Sequence, residues 1–264
     1  MATTSKTQYE TFAPQYGTIE NLPCYQLETQ LIQSALGDCS GLHILDLGGG
    51  SGLHARDALA AGAIKVDVVD ISPSMMQIGQ SIEASLGRSG RIAWHVADVS
   101  RPLSTQDIST SLLRPGEYDV VMANWVFDHA TTLHGLKGMW ANVALYLKPS
   151  VGRFLGIRVL GKGLRAGYMQ KGKGKYGITF EDVEEIENGV RYKVTFVTTG
   201  QIVEFEGTSM EDTYALLDEV PRELGIVDLE VVQPDEMGVV RADKDFWEEF
   251  LKETNFVVVK GRKG

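Results

Sequence analysis

Three carboxylates, a run of glycines and one histidine are the parts of this chain best placed to do chemistry. Asp46 stands two residues before Gly48, and Gly48, Gly50 and Gly52 recur at every second position. With Gly49 between them, four glycines share one turn. Such a turn loses backbone entropy on folding and makes sense where something must approach the main chain closely. Asp70 ends the β-branched run Val66, Val68, Val69. A carboxylate at that point can accept hydrogen bonds from both hydroxyls of a ribose diol. Asp98 closes a third run, and His129 follows a fourth, Tyr118–Phe127. An unperturbed imidazole titrates near pH 6.5, which suits it to proton transfer.

The elements that must hold these residues follow from the neighbouring pattern. Ile44, Leu45 and Leu47 make a short apolar strand, residues 53–61 have helical composition ending at Gly62, and the second strand stops at Asp70. This is a βαβ half-unit that brings bare backbone to a ligand. The glycines alone fit two ligands. Gly50-x-Gly52-x-x-Ala55 matches a dinucleotide fingerprint with Asp70 near its usual distance.

The spacing Asp46-x-Gly48-x-Gly50-x-Gly52 also resembles the first motif of class I S-adenosylmethionine-dependent methyltransferases. The position of Asp46, the strand Arg91–Ala97 ending in Asp98-Val99, and the run Tyr118–Phe127 extend that resemblance. It implies S-adenosylmethionine as cofactor and S-adenosylhomocysteine as product. It places Asp46 near the methionyl end, Gly48, Gly50 and Gly52 in the cradle, Asp70 on the ribose, and Ile71 and Met75 beside the adenosine. Asp98 and Val99 fall at the adenine, and Asn124 and Trp125 toward the methyl. The implied fold is α/β, a Rossmann-like seven-stranded sheet in order 3-2-1-4-5-7-6 with its last strand antiparallel. A small antiparallel β insertion follows the fifth strand. The resemblance covers about residues 40–160 and 210–262. The expected divisions are 1–40 (an arm and helix), 41–160 (the cofactor-binding core), 161–209 (a cap) and 210–264 (the rest of the sheet).

The implied reaction is methyl transfer to a nitrogen or oxygen of a small-molecule acceptor. His129 is the candidate base, or else a structural histidine bonded to backbone. Asp128 could orient it, or cap the next turn. Tyr16 is the candidate aromatic of an N-terminal arm that covers the cofactor and reaches the reacting methyl; packing is the competing role. Asn124-Trp125-Val126-Phe127 keeps only the ends of the Asn/Asp-Pro-Pro-aromatic tetrapeptide, which argues against planar amides and base amines as acceptors. Rival readings are a protein side-chain methyltransferase, an NAD(P)-binding oxidoreductase, and a protein that binds the sulfonium without transferring its methyl.

Composition narrows the partners. A formal net charge of −10 weighs against gripping a phosphate backbone, so no nucleic-acid partner is expected. The 264 residues, 43% of them hydrophobic, support one large α/β domain with a small insertion. Cys24 and Cys39 are too few for a disulfide framework or a metal cage. No apolar run reaches the roughly 20 residues that span a bilayer, and MATTSKTQYETF has no apolar signal core. A cytoplasmic protein without membrane attachment is the expectation. One basic stretch stands out: Lys162, Arg165, Lys171, Lys173 and Lys175, either a solvated loop or a lid over an anionic group.

The remaining pattern predicts helices over Leu27–Leu36, Ser72–Leu86, Leu103–Leu113, Leu133–Leu147, Glu211–Leu224 and Lys244–Glu253. Strands are predicted at Val151–Leu160, Ile178–Ile186, Val190–Thr198, Ile202–Glu206, Val227–Val232 and Asn255–Lys260. Turns at Asn188-Gly189 and Thr199-Gly200 join the middle three.

Overall fold

The computed structural model describes residues 19, 21–88, 90–106, 112–161, 164, 175–198 and 201–264. The expectations for Tyr16 and its arm, for residues 107–111, for Lys162, Arg165, Lys171 and Lys173, and for the Thr199-Gly200 turn lie outside these residues.

The strands are β1 (His43–Leu47), β2 (Lys65–Asp70), β3 (Ile92–Val96), β4 (Val120–Met122), β5 (Arg153–Val159), β6 (Ile178–Ile186), β7 (Gly189–Thr198), β8 (Gln201–Met210), β9 (Ile226–Val231) and β10 (Phe256–Lys263). The helices are α1 (Pro23–Leu36), α2 (Leu53–Ala60), α3 (Pro73–Ser85), α4 (Leu133–Tyr146), α5 (Glu211–Tyr214), α6 (Glu219–Glu223), α7 (Gly238–Ala242) and α8 (Lys244–Lys252). Seven strands form one sheet in the order β3-β2-β1-β4-β5-β10-β9, the predicted order, and β10 runs antiparallel to both neighbours.

Side chains alternate across that sheet and build a core on each face. Ile44, Val66, Val68, Val120 and Met122 pack with α1, α2 and α8. Leu45, Leu47, Val69, Val121 and Ala123 pack with α4 and α6. Runs buried on both faces are what a parallel sheet between helices demands.

β6, β7 and β8 form a separate antiparallel sheet. The Asn188-Gly189 turn falls one residue earlier than expected. Gly189 pairs with Ile186, and Asn188 takes the left-handed φ of 57° that Asn tolerates. β8 lies against the loop after β4, where the Thr208 hydroxyl donates to the Ala130 carbonyl at 2.9 Å.

Two helix expectations are corrected. The run Glu211–Leu224 is two short helices, α5 and α6. Leu216 and Asp218, between them, have φ of 55° and 56°, which breaks the helical ladder. In that conformation Asp218 meets the buried Arg158 at 2.5 Å. Of the run Leu103–Leu113, Leu103–Thr105 is a single 3₁₀ turn. The Gln106 amide closes it instead, accepting from the Asp98 N–H at 2.9 Å and donating to the Asp98 carbonyl at 2.8 Å.

β2 carries a second acid that holds the sheet together. Asp67 accepts from the Tyr118 hydroxyl at 3.0 Å, and meets His43 at 2.6 Å, His95 at 2.9 Å and Lys65 at 3.2 Å. Burial alone would raise its pKa, but these partners outweigh burial and hold the carboxyl well below the usual range. A depressed acid stabilises the fold above the unfolded-state value near pH 4 and loses that effect only at strongly acid pH. Asp67→Asn should therefore destabilise the protein by about 2–4 kcal/mol at pH 7. Urea denaturation checks this, and an unchanged midpoint would remove Asp67 from the stabilising network.

Candidate functional site

The loops leaving the carboxyl ends of β1 to β4 enclose a cavity of about 370 Å³. Open α/β sheets place ligands at this edge. The glycine turn forms its floor. Gly48 and Gly49 donate to the Val69 carbonyl at 2.7 and 3.3 Å, which ties the turn to β2. The Gly50 N–H donates to Asp70 Oδ2 at 2.8 Å, and Asp70 Oδ1 accepts from the Ser72 N–H at 2.8 Å. Asp70 thus bolts the glycine turn to the entrance of α3, where Ser72 Oγ accepts from the Met75 N–H and Pro73 takes the first turn. Burial raises the Asp70 pKa, and these amides oppose the rise. Gly50 has φ of 54°, and a Cβ there would lie 3.3 Å from the Met75 methyl group and 3.9 Å from the Asp70 carboxylate. A Cβ on Gly48 would run into the Val126 side chain.

Asp46 is 1% exposed, and neither carboxyl oxygen has a hydrogen-bond partner. Burial pushes its pKa up to about 7; the charge on His54 works against this, and Asp70 and Asp57 add to it. The site therefore contains an acid waiting for a donor or cation.

A buried ion network forms one wall. His54 Nε2 meets Glu28 Oε1 at 3.2 Å and its Nδ1 meets Asp57 Oδ2 at 3.1 Å. Burial alone would lower the His54 pKa, but hydrogen bonds with Asp57 and Glu28, and their charges, raise it to about 10. At neutral pH His54 is an imidazolium. The other oxygen of Glu28 accepts from the Trp125 indole N–H at 3.0 Å. Trp125 has φ of 60°, a strained value for an aromatic residue and one that clusters at functional sites. Asn124 beside it accepts from the Ile157 N–H at 3.3 Å through Oδ1, while its Nδ2 is buried without a partner.

Past Trp125 and His129 a second cavity of about 40 Å³ opens beneath the three-stranded sheet. Phe180, Val194, Phe196 and Phe205 line it from the sheet, and Asp128 from the loop. Tyr25, Glu28, Trp125 and His129 line both spaces. Burial pulls the His129 pKa down to about 4, so its ring is neutral at physiological pH.

Asp46, Gly48, Gly50, Asp70, Ile71, Met75, Asp98, Val99, Asn124, Trp125 and His129 all line the larger cavity. Gly52 lies outside its lining: it precedes α2 with φ of 76°, and a Cβ there would meet the Trp94 ring at 2.7 Å. Tyr16 is outside the described residues. Sequence reasoning missed Glu28 and His54. Glu28 did carry a signal, because it shares the apolar stripe of α1 with Leu31, Ile32 and Ala35, and an acid on a buried stripe needs a partner.

A histidine whose folded pKa is raised stabilises the fold fully below its unfolded value and loses that effect as pH climbs through the folded value. Stability should fall between about pH 7 and 10 in the wild type as His54 deprotonates. In His54→Gln that dependence should be weakened over the same interval. Urea midpoints measured across the range check this; superimposable profiles would refute it.

Residues 44–150 match the family model described as a methyltransferase domain. No curated protein matches the chain. Among solved structures, the CcbJ methyltransferase from Streptomyces caelestis is 18% identical with a TM-score of 0.62, covering 100% of this chain and 99% of that one. An S-adenosylmethionine-dependent methyltransferase from Mesorhizobium loti is 16% identical with a TM-score of 0.59, covering 90% and 98%. Geranyl diphosphate C-methyltransferase from Streptomyces coelicolor, crystallised with S-adenosyl-L-homocysteine, is 11% identical with a TM-score of 0.56, covering 90% and 78%. At these identities the structures establish a shared fold. A methyltransferase domain thus lies over the glycine turn and first four strands of this chain, in a seven-stranded sheet of the order β3-β2-β1-β4-β5-β10-β9.

Proposed function

We propose that the enzyme methylates a nitrogen or oxygen of a small-molecule acceptor that reaches the cofactor from beneath the three-stranded sheet. The observation that carries this reading is that Tyr25, Glu28, Trp125 and His129 line both cavities. The larger space has the size of a small-molecule site, and the loop after β4 lines both spaces.

The residues present fit S-adenosylmethionine. Asp46, buried and without a partner, suits a methionyl ammonium. Asp70 holds the turn with one lone pair on each oxygen and has further acceptor capacity for a ribose diol. The bare face at Gly50 admits the close approach that a Cβ would block. Asp98 is held by the Ser100 N–H and hydroxyl at 2.9 and 2.6 Å, which fixes the adenine end of the cavity. When bound, the sulfonium supplies an electrophilic methyl group, and the protein's part is position, dryness and polarity. His129, neutral and at the junction of the cavities, can accept a hydrogen bond from the acceptor and orient it. Aligning two bound reactants lowers a barrier by several kcal/mol, roughly 7–11 in the best intramolecular cases.

Incubation of the enzyme with methyl-labelled S-adenosylmethionine and a fractionated cell extract tests the acceptor class. Label in the small-molecule fraction supports the reading, and label confined to protein overturns it.

Asp70→Ala removes the ribose contacts and the tether on the turn. At about 1.5–3 kcal/mol per charge-assisted bond, affinity for S-adenosylhomocysteine should drop at least tenfold. Calorimetric titration with unchanged affinity would sink the assignment. His129→Ala should leave that affinity intact. Its turnover should fall about tenfold, short of the ~10²–10⁴ that a full general base contributes.

A further inference from the structure

Asp128 belongs to the smaller cavity and is 3% exposed. Its Oδ2 accepts from the Val159 N–H at 3.2 Å, and its Oδ1 is buried with no hydrogen-bond partner. A buried carboxyl oxygen left unpaired is costly, and a bound N–H or O–H would remove that cost. The sheet side of the cavity is mostly hydrocarbon, Ile178, Phe180, Val194, Phe196 and Phe205, with the Tyr192 phenol among them. Among the described residues that line this cavity there is no lysine or arginine. Glu28, the other acid on it, is already engaged by His54 and Trp125.

We propose that Asp128 is the catalytic proton acceptor of this subsite, and that the subsite takes an apolar, non-anionic molecule presenting one O–H or N–H to it. An anion would be buried beside a carboxyl with no cation to answer it. The acceptor's lone pair forms the new bond to the methyl carbon. The sulfur–methyl bond breaks with its electron pair left on sulfur, giving the neutral thioether of S-adenosylhomocysteine. The acceptor's proton passes to Asp128 Oδ1.

The surroundings suit that task. Burial pushes Asp128 up to about 7, and hydrogen bonding from Ser209, the Val159 amide and Tyr192, with the charge of Arg158, moderates the rise. The facing charges are accounted for. Arg158 from β5 is paired with Asp218 at 2.5 Å, with Asp212 near it. Tyr192 comes from β7 and Ser209 from β8. His129 alongside is neutral, and burial has made it the weaker base of the two.

The inference rests on methyl transfer in the larger cavity, so the test separates the two. Full-length enzyme is first titrated with S-adenosylhomocysteine by calorimetry. The loaded enzyme is then probed by saturation-transfer NMR with phenol, benzylamine, benzoate and phenyl phosphate. Phenol or benzylamine should bind, and benzoate and phenyl phosphate should not. Asp128→Asn keeps a group that accepts from Val159, and should weaken the bound probe at least about tenfold while S-adenosylhomocysteine affinity stays the same. In wild type labelled with ¹³C-aspartate, two carboxyls should titrate near neutrality, Asp46 and Asp128, and one of them should be missing in Asp128→Asn and shift when the probe binds. Preference for the anionic probes, no probe binding to the loaded enzyme, or an Asp128 carboxyl that neither titrates near neutrality nor responds to the probe overturns the proposal and leaves the cofactor reading standing. Failure to bind S-adenosylhomocysteine overturns both.

Discussion

A carboxylate withdrawn from water must find a partner or a proton, and four of them surround this site. Each is answered differently. Asp70 accepts two backbone N–H groups and in doing so fixes the glycine turn to the start of α3. Glu28 is matched by an imidazolium and an indole N–H, which fixes α1, α2 and the loop after β4 to one another. Asp128 has one backbone amide beside Ser209 and Tyr192, and Asp46 has nothing. The well-satisfied acids set the shape of the cavity, and the poorly satisfied ones carry its unused capacity for a donor or cation. That division turns an electrostatic constraint into a binding site.

The sheet makes the division possible. Parallel strands buried on both faces bring four loops to one edge, where the backbone no longer has to satisfy its own ladder. Asp67 secures the middle of β2 through His43, His95, Lys65 and Tyr118. Asp70, three residues on, can then be held within hydrogen-bond distance of Gly50. A preorganised site of this kind needs rigid elements behind it. The strained φ of Trp125 is held in the same way, by its N–H to Ile157 and its indole to Glu28.

What could be read from the sequence was local. Alternation and β-branching marked β1, β2 and β5, because burial on a pleated strand writes a period into the chain. Ser72-Pro73 marked the start of α3 for the same kind of reason: a cap and a pre-set φ act over three residues. The break between α5 and α6 was not legible. It depends on Asp218 turning to meet Arg158, sixty positions earlier in the chain. Gly52 kept the motif's spacing, yet its neighbour is Trp94 of β3, a contact that no local pattern encodes. His54 read as an ordinary helical histidine, since one of the two acids that set its charge, Glu28, comes from another helix, while the other is Asp57 three residues on.

Burial also reverses the order of basicity between two adjacent residues. On sequence alone, His129 is the better base, because imidazole ordinarily holds a proton more tightly than a carboxylate. Removing water disfavours whichever form is charged. It therefore lowers the imidazole, to about 4, and raises the carboxyl, to about 7. His129 and Asp128 sit on the same 3₁₀ turn, line the same cavity, and are moved in opposite directions by burial. The antiparallel sheet lines that cavity, and with water withdrawn the stronger base of the two is the carboxyl and not the ring.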